Sequence, residues 1–288
     1  MNMFESRLSQ IEAALDGYVP NREGEADALV FDAARYSLLA GGKRIRPILL
    51  LEFAKLFGTP TEVAMPFACA LECIHTYSLI HDDMPCMDND DMRRNRPTNH
   101  KVYGDAMALL AGDALLNRAY EIMLTAITNE RTAKAAAYIA DCAGVNGMVG
   151  GQCIDLANEG KDISSGTLHS MHAKKTGALI RAACVGGALL GTDNTRIIAT
   201  TEQYAHDLGL AFQIIDDILD VEGDMSRLGK TIGKDAQQGK NTFVSIYGLT
   251  QAKEMAKLHT QNAMDALTQL PPSEFLMECT KFLLDRKY

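Results

Sequence analysis

The chain has 288 residues and a formal net charge of −9, a balance that argues against general affinity for nucleic acid or anionic lipid. Its length allows one large core, so residues 1–288 are expected to form a single domain. Seven cysteines without a Cys-x-x-Cys pair exclude a disulfide framework or a zinc site, and no basic leader or run of about eighteen apolar residues is evident, so a cytoplasmic protein without membrane insertion is expected.

In chain order, residues 2–17 and 25–40 read as amphipathic helices, the second ended by Gly41-Gly42 as helices often stop. Pro47 suits the first turn of a helix running to Phe57. After the turn at 58–61, a long apolar helix over 62–81 carries His75, Tyr77 and His81 toward the segment that follows. That segment holds Asp82, Asp83, Asp88, Asp90 and Asp91, then Arg93 and Arg94. Residues 88–102 read as a loop, 105–127 and 131–143 as helices. A further helix from about 144 bears Gly150-Gly151-Gln152 and Asp155, and residues 158–166 form a loop with cap candidates. One helix is expected over 167–190, including Lys174, Lys175 and Thr176, and a turn at 191–194 leads into the helix of Gln213, Asp216, Asp217 and Asp220. Residues 222–238 are a polar loop, and helices over 241–269 and 273–286 complete the chain. Period-two alternation is almost absent, so the fold class is all-α.

Five carboxylates within ten residues repel one another, and a folded chain holds them together where a cation shares the site. Asp216, Asp217 and Asp220 lie three and four apart, so one helix can turn them toward one ligand. That helix also carries Phe212, Ile214, Ile215, Ile218 and Leu219, and carboxylates on so apolar a helix need partners. Lys43, Arg44 and Arg46 at a helix start call for an anion, because that end of a helix normally favours acids. Lys230 and Lys240 follow the second acidic cluster. The pattern around Gly223 and Gly229-Lys230-Thr231 is one residue too long for a phosphate-binding P-loop and follows a helix instead of a strand. Two carboxylate sets with separate cationic sets suit the gripping of two diphosphates, one through a metal and one through side chains alone.

With these residues on the page, the chain resembles the trans-isoprenyl diphosphate synthases. Asp82, Asp83 and Asp88 followed by Arg93-Arg94 look like that family's first aspartate-rich motif, and residues 212–220 look like its second. Residues 41–47, Gly150-Gly151-Gln152 with Asp155, Lys175-Thr176 and the stretch from Lys230 to Lys240 resemble its other motifs in order, and the bacterial farnesyl type is the nearest in pattern. The resemblance implies a helical bundle around a central cavity, a homodimer, and isopentenyl and allylic diphosphates as substrates. It implies magnesium, as three ions with manganese able to substitute, on Asp82, Asp83, Asp88, Asp216, Asp217 and Asp220. Arg93, Lys175, Lys230 and Lys240 would grip the allylic diphosphate, with Gln152 among the substrate-binding residues. Lys43, Arg46, His75 and Arg94 would bind isopentenyl diphosphate without metal. Thr176 and Gln213, with Lys175, would serve the chemical step. Tyr77 and Ser78 would set product length, an aromatic at that position together with two extra residues between Asp83 and Asp88 implying fifteen carbons, with twenty as the runner-up.

The chain departs from the family pattern at Asn95, where glycine is usual, and at residues 241–244, which lack a Tyr-Pro pair. Asparagine tolerates positive φ better than most residues. A terpene cyclase would leave Lys43, Arg46, His75 and Arg94 without a second diphosphate. A non-catalytic partner subunit generally loses aspartates, and a helical scaffold has no use for buried carboxylates.

Overall fold

The computed structural model describes residues 3–222 and 240–284. Its helices are α1 (Met3–Tyr18), α2 (Ala28–Leu38), α3 (Ile45–Leu56), α4 (Thr61–Asp82), α5 (Asn99–Tyr103), α6 (Asp105–Thr125), α7 (Glu130–Ala143), α8 (Met148–Asn158), α9 (Ser165–Lys175), α10 (Gly177–Gly191) and α11 (Thr195–Glu222), followed by α12 (Phe243–Tyr247), α13 (Leu249–Thr268) and α14 (Glu274–Leu284). Local chemistry starts several of them. Asn129 and Thr132 form a capping box before α7, and Thr242 with Ser245 forms another before α12.

The fold is an all-α bundle built on α10, which buries every residue from Gly177 to Leu190 except Arg181. It packs against α3, α7 and α11, while α4 runs along α3 and α6. Phe53, Phe67, Leu50, Leu71 and Tyr204 are fully enclosed in the main core. A smaller core under α12 gathers Leu168, Met171, Ile214, Ile218 and Phe243. All seven cysteines are free thiols, five of them buried.

The structure corrects four expectations from the sequence. α4 is long and apolar enough to cross a membrane, its most apolar stretch averaging a hydropathy of 1.4, yet 67% of that stretch is buried in the bundle. Residues 88–102 are not merely a loop: Met92–Arg93 and Arg96–Pro97 pair as antiparallel strands β1 and β2, and α5 follows. The two residues between the strands, Arg94 and Asn95, have φ of 52° and 60°, as a two-residue hairpin turn of the primed type requires. The helix expected over 167–190 breaks at Thr176, whose hydroxyl bonds across to α11. The helix expected over 241–269 is two, α12 and α13, meeting at Gly248.

Candidate active site

The last turn of α4 delivers Asp82, and Asp83 caps it. The chain then coils back over the helix end. The Asp88 amide donates to the Asp82 carbonyl at 2.9 Å and the Asp90 amide to the Asp83 carbonyl at 3.2 Å. This fold-back returns Asp88 to the neighbourhood of Asp82. Burial, with the Asp88 charge adding to it, raises the Asp82 carboxyl above its ordinary value despite the nearby Lys175 ammonium. Gln152 on α8 donates to Asp82. Asp83, only 3% exposed, takes a two-pronged contact from Arg93 at 2.5–2.8 Å.

The other cations on this side also meet carboxylates. Lys175 at the end of α9 contacts Asp155 of α8 at 2.6 Å, and Lys240 contacts Asp88 at 3.1 Å. A shallow hollow lies here, lined by Asp88, Asp155, Leu156, Glu159 and Lys240. On α11, Gln213 accepts from the Thr176 hydroxyl at 2.8 Å and donates to Asp217 at 2.8 Å. Asp216 and Asp220 are partly exposed, and Asp216 is close enough to Arg46 of α3 to favour its charge. Lys230 lies outside the described residues.

A second cationic group behaves differently. Arg46 Nη1 donates to His75 Nε2 at 3.3 Å, and Arg94 donates to the Gly41 carbonyl. Burial, followed by the Arg46, Arg94, Arg93 and Arg44 charges, holds the His75 imidazole well below its usual range, so it is neutral and can accept from Arg46. Burial also pulls the Arg46 and Arg94 guanidinium groups down, and Arg46 Nε is buried without a partner. No carboxylate touches Arg46 or Arg94 among the described residues. Gly42, at φ 133°, makes the approach possible, because a Cβ there would lie 2.9 Å from the Arg94 guanidinium carbon.

Two expected placements differ, those of Arg44 and His81, and Lys43 lies at the edge of its group. Lys43 is exposed, its ammonium 5.8 Å from the centre of the Phe282 ring on α14. Arg44 joins no anion site: at φ 46° and 2% exposed, it turns inward to Glu12 and Glu72, both at 2.7 Å. Burial works against its charge, and the two glutamates outweigh it. His81 faces α6 and not the aspartates, bonded to the Leu109 carbonyl at 3.1 Å. Glu72 was detectable as the one acid in the middle of the apolar stretch 63–80; its partner 28 residues away was not. Tyr77 is 7% exposed and meets the His81 ring edge-on at 5.7 Å. Burial, with Tyr120 nearby, pushes its hydroxyl up to about 12. The Ser78 hydroxyl donates to the His75 carbonyl at 2.8 Å.

Among the described residues, no three His, Cys, Asp or Glu side chains converge to cage a cation unaided. The donors near Asp82 are nonetheless hard oxygens. That set fits magnesium, which keeps waters and binds through one or two carboxylates plus substrate phosphates. A helical bundle that gathers carboxylates around Asp82 and, apart from them, guanidinium groups that no carboxylate touches has the parts of an enzyme acting on anionic substrates. The chain belongs to the polyprenyl synthetase family, whose pattern it matches over residues 27–270. A geranylgeranyl diphosphate synthase of Cyanophora paradoxa is 48% identical over 265 residues, 91% of this chain and 87% of that one. A farnesyl diphosphate synthase of Geobacillus stearothermophilus is 45% identical over 258 residues, 88% of this chain and 86% of the relative. A crystal structure of geranyltransferase from Helicobacter pylori, complexed with magnesium and isoprenyl diphosphate, superposes with a TM-score of 0.85 at 32% identity, covering 98% and 95% of the two chains. The chain is a prenyltransferase that condenses isopentenyl diphosphate with allylic diphosphates.

Proposed function

We propose that the chain makes farnesyl diphosphate from dimethylallyl or geranyl diphosphate, as a magnesium-dependent cytoplasmic homodimer. The observation that carries this reading is the division of the cations. Arg93, Lys175 and Lys240 rest on carboxylates, as suits a metal-assisted diphosphate site, whereas Arg46, His75 and Arg94 await an anion without metal. Asp82 and Asp88 on one wall, with Asp216 and Asp220 on the other, would hold magnesium, which when bound neutralises charge on the leaving diphosphate.

Arg93, Lys175 and Lys240 bind the allylic diphosphate, and Arg46, His75 and Arg94, with Lys43 at the rim, bind isopentenyl diphosphate. Ionising the allylic C–O bond separates a carbocation from diphosphate, so the barrier falls where charges are fixed in advance at both ends. At the cation end, the Thr176 hydroxyl donates to Gln213, which leaves oxygen lone pairs of both for the cation. The isopentenyl double bond attacks, and the departing diphosphate takes the proton. The apolar faces of α4, α6 and α11 exclude water.

Tyr77 sits five residues before Asp82 on α4, about 7.5 Å along the axis, where a growing tail would end. A second reading, a twenty-carbon product, is favoured by the Cyanophora relative, whose name states that activity. Incubation with magnesium, isopentenyl diphosphate and dimethylallyl diphosphate, followed by product sizing, tests both. The expected product has fifteen carbons, is lost in excess chelator, lengthens in Tyr77→Ala and shortens in Ser78→Phe. A twenty-carbon product from the unaltered chain would favour the second reading, and full turnover in chelator would remove the metal from the mechanism.

A further inference from the structure

Asp217 is the least exposed aspartate of the 216–220 cluster on α11, at 3%, while Asp216 and Asp220 are partly open. On a helix Asp216 and Asp220 share a face, and Asp217 is rotated about 100° from Asp216. Both its oxygens meet protein donors. One accepts from the Gln213 amide at 2.8 Å, the other from the backbone amide of Phe243 at 2.7 Å. Phe243 is the first residue of α12, fully buried and stacked on His172. Three residues earlier stands Lys240, in contact with Asp88.

We infer that Asp217 is a positioning residue, which orients the Gln213 amide and seats the Lys240–Phe243 segment, and not a ligand of the metal. The inference rests on the proposed reaction for its functional half. A carboxylate can only accept hydrogen bonds, so the Gln213 NH2 group must turn to Asp217 and its oxygen must turn to Thr176. The amide oxygen thereby faces the space where positive charge develops. The same carboxylate holds the start of α12, and with it the backbone that carries Lys240 to the first aspartate group.

The nearly isosteric Asp217→Asn variant separates the roles. Its NH2 group can donate to the Gln213 oxygen, so the amide can reverse and point N–H groups at the carbocation. Three measurements are made beside Asp216→Asn: turnover, amide exchange at Phe243, and calorimetric binding of the thiolo analogue of dimethylallyl diphosphate, which does not ionise, at a series of magnesium concentrations. In Asp217→Asn, kcat should fall at least about tenfold, as for other lost electrostatic contacts at a reacting centre. Phe243 should exchange faster, and the magnesium needed for half-maximal analogue binding should change less than about twofold. Asp216→Asn should raise that requirement. A rise of about tenfold or more in Asp217→Asn, an unchanged Phe243 exchange rate, or an unchanged kcat would overturn the inference. If the unaltered chain makes no prenyl product, the reaction reading falls, while the exchange and binding arms, which need no turnover, still decide the role of Asp217.

Discussion

Arg46 carries its charge where charge is expensive. Its Nε is buried and unpartnered, its neighbour His75 is neutral, and Arg94 adds repulsion. Glu72 and Asp216 favour the Arg46 charge without touching it, and an anion would complete the compensation, since a poorly paired buried cation costs several kcal/mol. Arg46→Ala should therefore raise the KM for isopentenyl diphosphate by about a hundredfold, the worth of roughly 3 kcal/mol for a charge-assisted contact, while moving the allylic KM less than threefold. Steady-state kinetics with each substrate varied in turn checks this, and equal effects on both would show that the two diphosphate sites are assigned wrongly. Basic surroundings alone did not separate Arg46 from Arg44 two positions away; the family motif singled out Arg46 without giving the physical reason. What separates them is the left-handed backbone at Arg44, which turns that side chain inward to glutamates far along the chain.

At the scale of elements, the junction of α9 with α12 is sensitive to acid. The His172 imidazole is stacked on Phe243 at 5.1 Å, and burial, with the Lys175 charge adding to it, pushes it down to about 4 from an ordinary 6.5. The unfolded chain thus binds a proton at this group over a range where the folded chain does not. Stability present above pH 6.5 is lost as pH falls toward 4, by about 3 kcal/mol if the full depression counts. Thermal melts across that window should show the loss, and His172→Phe, which keeps an aromatic face on Phe243, should flatten it. An equally steep acid limb in the variant would assign the effect to other groups. Helices as such were legible from their apolar pattern and from stop and start signals such as Gly41-Gly42 and Pro47. The hairpin was not, because its turn uses Arg94 and Asn95 in place of glycine, and neither was the break at Thr176, which depends on a hydroxyl reaching another helix.

For the whole molecule, the fold class was readable because period-two alternation is almost absent while Ala, Leu and Met are abundant. The acidic groups were readable because their spacing within one helix or one helix end is local. What stayed hidden was the long-range pairing inside the bundle, above all the clamp in which Arg44 joins Glu12 of α1 to Glu72 of α4 at 2.7 Å each. Arg44→Met strands a buried glutamate and should destabilise by about 3–5 kcal/mol, which lowers Tm by on the order of 10 °C in a protein of this size. Replacing Glu12 and Glu72 with apolar residues in the same chain should recover most of the loss; no recovery in calorimetry would mean that the clamp does not act as a unit. The clamp also bears on descent. A lineage that loses one of its three charges gives up a large share of the roughly 5–15 kcal/mol that keeps a protein folded, and only simultaneous or quickly compensated substitutions lead out. Positions 12, 44 and 72 are therefore expected to change as a set, and their joint replacement in a distant branch would mark a common ancestor more dependably than a change at any one aspartate of the acidic groups.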